Sequence, residues 1–309
     1  MTLLQWRSRR DSELVLWAAT WCLYLMLVDA VNGGKWGAET WNYSLGAVMV
    51  GIIYLTTRTT KRDLPSLGRT ISAILWMVFI LLLFLITLVV MMKLQLIGWP
   101  PILQIGAAID FAVVRGGVPR YIATRVEQAA LVLPLALIAM VPAIWRVRRR
   151  NRVFGFHVSG VDWILGLALV ALSIGSSFAL HRIANDTNST GYYPDTLWAI
   201  AMFPLQVVVN GAFEETLFRG YLLPQLGDLL RNKLAATFFA VAVFNLCHLP
   251  EFYMLDGLRA VWWHEVLQMI FPLNPFAFVM CYSYWRSRSV VPGILMHTYT
   301  TLWAYPWLS

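Results

Sequence analysis

Apolar residues in this chain come in long runs rather than in the three-and-four spacing of a surface helix. Nine runs approach the length needed to cross a ~30 Å hydrocarbon layer, roughly 20 residues at 1.5 Å each. They cover residues 13–31, 42–57, 70–97, 122–145, 161–181, 196–226, 234–250, 263–284 and 289–305. A helix that is apolar on every side has no face to offer water. The pattern therefore predicts an all-α, multi-pass transmembrane helical bundle of about nine spans. The sixth run is too long for one straight helix, and Pro204 and Gly211 inside it predict a kink or a break. Residues 100–120 are too short and too polar to cross, and they read as an interfacial or loop segment.

The polar positions between the runs orient the bundle. Of 24 lysines and arginines, sixteen fall in one set of alternate loops and six in the other; Lys93 and Arg219 lie within runs. Basic loops stay on the cytoplasmic side, so the N-terminus is expected in the cytoplasm of a cell (plasma or inner) membrane. Composition agrees. Of the residues, 59% are hydrophobic and 13% charged, whereas a soluble domain carries about 25% charge. The net charge of +8 is explained by the loops. No basic stripe interleaves with exposed aromatics, which argues against nucleic acid and leaves the lipid bilayer as the partner. Cys22, Cys247 and Cys281 lie in apolar runs and make no disulfide framework. The basic start (Arg7, Arg9, Arg10) and the apolar run after it lack a small-x-small cleavage site, so they read as a retained first span. The basic run 146–152 marks a cytoplasmic linker. It ends an N-terminal four-helix region, residues 1–158, and leaves a five-helix region, residues 159–309.

Ionisable groups inside a bilayer cost about 2.5–3.5 kcal/mol each, so they point to function. Glu214 and Glu215 are the only adjacent acidic pair in the sequence, and they lie in an apolar run. Helical spacing separates their roles. Glu215 and Arg219 are four apart and can pair on one face, while Glu214 is turned about 100° away. One carboxylate is neutralised and the other is left for chemistry. The next run supplies Phe244 and His248, and the last supplies His297 and Thr301, each pair again four apart. Measured at 1.5 Å per residue, Glu214 lies ~18 Å and His297 ~12 Å from the cytoplasmic edge, so these groups can meet within the membrane.

Together these residues resemble one family. Glu-Glu-x-x-x-Arg, then Phe-x-x-x-His, then a histidine followed four residues later by a polar side chain is similar to the ordered signature of the CPBP (CAAX protease and bacteriocin-processing, also called Abi) intramembrane proteases. The flanks FEETLFRGYLLPQL, FNLCHLP and SRSVVPGILMH are similar as well. The resemblance covers about residues 196–305 and implies a protease domain within 159–309. It implies an endopeptidase acting on a peptide or protein substrate that is lipid-modified or membrane-anchored. Glu214 would activate water with help from His248, Glu215 and Arg219 would brace the site, and His297 would stabilise the oxyanion. Thr301 departs from the family's usual asparagine or aspartate and brings only a hydroxyl.

Other chemistries stay open on the residues alone. Glu214, His248 and His297 make a known type of zinc ligand set, although the expectation is no cofactor. His264-Glu265 begins like a zincin motif, but Gln268 replaces the second histidine. The polar cluster can also be a helix-bridging scaffold in a non-enzymatic immunity or peptide-binding protein. It can equally be the relay of a proton-coupled transporter, although a transporter is expected to show repeat symmetry and none is evident.

Overall fold

The computed structural model describes residues 38–57, 71–96, 159–183, 203–247 and 275–304, with Leu23, Ala107, Arg115, Val141 and Gly155 as isolated positions. Among the described residues every regular element is helical. The predicted spans 13–31 and 122–145, the 100–120 segment, the basic run 146–152 and most of 263–284 lie outside them.

Three helices precede the acidic pair: α1 (Ala38–Thr57), α2 (Ile71–Leu96) and α3 (Gly160–Ile183). Ser159 and Asp162 start α3 with a reciprocal cap. The Ser159 N–H donates to Asp162 Oδ2 at 3.0 Å, and the Asp162 N–H reaches back to Ser159 Oγ at 3.4 Å. This satisfies amide groups that the first helical turn cannot. On α2, Leu75, Phe79, Leu82 and Ile86 form an exposed apolar stripe, while Met77 and Ile80 are buried. Counting described side chains alone, no helix is long and apolar enough to cross a membrane. The full sequence of α2 nevertheless has 26 residues with Lys93 as its one charge, about 39 Å at 1.5 Å each.

The sixth run departs from the expected break. Residues 203–230 stay helical throughout, but Val207–Ala212 and Glu215–Leu222 are wound as π-helix. Pro204 and Gly211 are therefore accommodated by a change of hydrogen-bonding pattern, not by an interruption. A β-carbon on Gly211 would collide with Thr298 Oγ1 and the Ile294 carbonyl, so the wide turn lies where another helix presses closest. The Thr216 hydroxyl donates to the Ala212 carbonyl and takes up a group from the altered ladder. Helix α4 (Leu223–Leu230) continues the segment, Arg231 ends it at φ 52°, and Asn232 caps α5 (Lys233–Leu246) by accepting from the Ala235 N–H at 3.0 Å.

Helices α6 (Pro275–Ser287) and α7 (Val291–Ala304) form a tight antiparallel pair. Arg288 turns the corner at φ 62°, and the Ser289 N–H donates to Ser287 Oγ at 3.1 Å. Several element ends gather beside this corner. Arg286 Nε donates to Thr57 Oγ1 at the end of α1, 3.1 Å away. Trp285 Nε1 donates to Thr237 Oγ1 near the start of α5, 2.9 Å away. The Val290 N–H donates to the Gly155 carbonyl at 3.0 Å. One end of the bundle thus collects the borders of four loops from the more basic set. Helix α7 runs back from it into the core, packed along α3 and the first π-helical stretch.

Candidate active site

The first requirement of a buried carboxylate is a partner. Glu215 is fully buried, and its Oε1 lies 2.9 Å from Arg219 Nη1, the i,i+4 pair expected from spacing. Arg219 is itself 1% exposed. Its guanidinium carbon sits 4.5 Å above the centre of the Phe244 ring, and the Cys281 thiol lies close beside it. Phe244, predicted to lie beneath His248, turns its ring to Arg219 and meets His297 edge to face at 5.8 Å. Phe218 and Phe84 extend this aromatic wall, with Phe218 5.1 Å from Phe244 and 6.1 Å from Phe84.

His297 joins the two acids. Its Nδ1 lies 2.9 Å from Glu215 Oε1, the oxygen that also takes the arginine. Its Nε2 faces Glu214 Oε2 at 3.6 Å. A carboxylate oxygen accepts, so Nδ1 carries the proton toward Glu215 and Nε2 is the nitrogen turned to Glu214. The neighbouring glutamates differ in access: the Glu214 side chain is 17% exposed and that of Glu215 is 0%. The braced carboxylate is sealed, and the other side chain is partly exposed although its Oε2, turned to His297, is buried.

The wide winding also explains how residues at unequal nominal depth meet. A π-helix bonds i to i+5 and places more residues in each turn. Glu214 therefore lies nearer the bundle's basic end than an α-helical rise implies, level with His297.

Glu214, Glu215, Arg219, Phe244 and His297 converge in this way. His248 lies outside the described residues; Cys247, the residue before it, is buried and within range of the Glu214 charge. Thr301 lies on α7 one turn beyond His297, and its side chain is outside the description. Among the described residues no group of three histidine, cysteine or acidic side chains is placed to hold a metal ion. Sequence spacing did not identify Cys281 as a neighbour of Arg219, because nothing local to either residue relates α6 to the sixth run.

This arrangement has the parts of a general acid–base site. It combines a partly exposed carboxylate, an imidazole turned toward it, and a sealed ion pair that holds the imidazole. No curated protein and no solved structure gives a significant match to the chain. Residues 196–303 match the family model for type II CAAX prenyl endopeptidases, Rce1-like. That segment starts before the π-helical stretches and ends within α7, so it contains every charged group of the site. Residues 196–303, about a third of the chain, are therefore similar to the Rce1-like type II CAAX prenyl endopeptidases, which belong to the CPBP (Abi) family of membrane-embedded proteases.

Proposed function

We propose that the protein is an intramembrane endopeptidase. It would hydrolyse a peptide bond in a membrane-associated or lipid-modified peptide or protein, with Glu214 as the general base. The single observation that carries this reading is the pairing of a partly exposed Glu214 with His297 Nε2 at 3.6 Å, beside a glutamate sealed by arginine. The chain is multi-pass with about nine spans, sits in the cell membrane and has its N-terminus in the cytoplasm. The exposed apolar stripe of α2 and the basic end of the bundle support that placement.

Chemically, the Glu214 carboxylate takes a proton from water, and the hydroxide attacks the scissile carbonyl carbon. His248 helps to hold that water. The tetrahedral oxyanion needs a donor, and the Nδ1–H of His297 is already committed to Glu215. Only a proton on Nε2 can serve, so His297 acts as an imidazolium held by Glu215, and Thr301 adds a hydroxyl. Protonated Glu214 then delivers its proton to the departing amine, the C–N bond breaks, and the carboxylate is regenerated. No cofactor is needed in this scheme.

Replacing Glu214 by glutamine removes the base while keeping the size. At equal membrane abundance, cleavage of a membrane-anchored peptide followed by mass spectrometry should fall by about 10²–10⁴-fold. Cleavage by Glu214→Gln at the wild-type rate would exclude the mechanism. Loss of activity with a chelator, restored by zinc, would instead assign Glu214, His248 and His297 to a metal.

A further inference from the structure

We infer that Gly293 is a positioning residue of this site, holding Glu215 in the one arrangement that aims His297 at Glu214. The inference rests on the peptidase reading for its consequence in catalysis, though not for its geometry. Gly293 lies four residues before His297, so the two share the face of α7 turned toward Glu215. A β-carbon on Gly293 would occupy the place of Glu215 Oε2 and press on the carboxyl carbon behind it. The carboxylate is thus seated on bare backbone. Oε1 takes both Arg219 Nη1 and His297 Nδ1, and Oε2 has no hydrogen-bond partner and faces the glycine. Nothing but glycine fits there without moving the carboxylate.

The direction of that movement matters. Glu215 cannot retreat into solvent, because it is fully buried. A methyl group at 293 must therefore push Oε1 off either the guanidinium or the imidazole. The buried arginine is stacked on Phe244, while the imidazole can turn about its Cβ–Cγ bond without leaving its place. The contact to His297 should fail first, and Nε2 would then lose its aim at Glu214. Substrate binding needs none of these atoms, so the loss should appear in turnover.

Shortening the acid by one methylene relieves the clash, which makes Glu215→Asp the matching second change. The experiment compares wild type, Gly293→Ala, Glu215→Asp and the double variant, each full-length in detergent or nanodiscs. Two quantities are read: the downfield Nδ1–H proton resonance of ¹⁵N-histidine-labelled protein, assigned with His297→Ala, and kcat and KM for a membrane-anchored peptide. Gly293→Ala should lose the resonance and about 10²-fold in kcat with KM unchanged. The double variant should recover both relative to Gly293→Ala. If Gly293→Ala does not fold and the double variant does, the same clash is demonstrated. A Gly293→Ala protein that keeps the resonance and kcat, or a double variant no better than Gly293→Ala in folding, resonance and rate, overturns the inference. A resonance that responds as described in a protein with no peptidase activity would instead retain the positioning role and reject the peptidase reading.

Discussion

The protein places arginine against aromatic rings in two very different settings. In the core, Arg219 is 1% exposed, lies 4.5 Å over Phe244, and is paired with Glu215 at 2.9 Å. At the basic end, Arg286 lies 5.1 Å over Tyr54 and donates to the Thr57 hydroxyl. Lys233 and Arg288 sit there near the Trp285 ring, at 5.9 and 6.0 Å. Both regions use the same ring-and-cation contact, and in the core it is joined by a carboxylate at 2.9 Å. A cation fully removed from water needs a counter-charge, whereas Arg286 and Arg288 are only partly buried and can lay their stems along the rings. The buried pair leaves a consequence behind it: Glu215, once sealed by arginine, has an oxygen to offer His297. The comparison therefore separates a sealed ion pair that holds a histidine from a cluster of cations resting on rings at the basic end.

The largest expected effect is Arg219→Met. It leaves Glu215 buried without its arginine, and should lower stability by about 3–5 kcal/mol in a denaturation assay in mixed micelles. Phe244→Leu keeps the ion pair and removes the ring beneath it, for a loss of about 2 kcal/mol in the same assay. Thr237→Val strands the Trp285 indole N–H and should cost about 1–2 kcal/mol, with cleavage unchanged once the protein is folded. Arg286→Met should be mildest, about 0.5–1 kcal/mol, again with unchanged cleavage. The comparison fails if Arg286→Met destabilises as much as Arg219→Met. It sharpens if the charge-preserving Arg219→Lys recovers part of the lost stability but not the activity, since lysine lacks the planar fork that stacks on Phe244.

Relations within one helix were legible beforehand. The Glu215–Arg219 pair follows from a spacing of four, and the separate environment of Glu214 follows from its offset of one. The cap that Ser159 and Asp162 make at the start of α3 is equally local. Phe244 was recognised as part of the motif, yet its contact was not, because the spacing to His248 says nothing about what approaches from other helices. The break allowed for near Gly211 does not occur, and π-helical winding stands in its place. Proline and glycine announce that the ladder changes, and the pressure of Thr298 and Ile294 from α7 is associated with the way it changes.

Taken alone, the sequence determined the helical class, the more basic face of the bundle, the acidic pair and the order of its motifs. Each of these is written in composition or in separations of a few residues, where backbone geometry leaves little choice. Tertiary structure alone decided that His297 bridges the two glutamates, that Cys281 and Phe244 enclose Arg219, and that Gly293 is the floor under Glu215. Those contacts join segments as much as 82 and 83 residues apart, from His297 to Glu215 and to Glu214. They depend on how several helices pack at once, and no local spacing encodes which faces will meet.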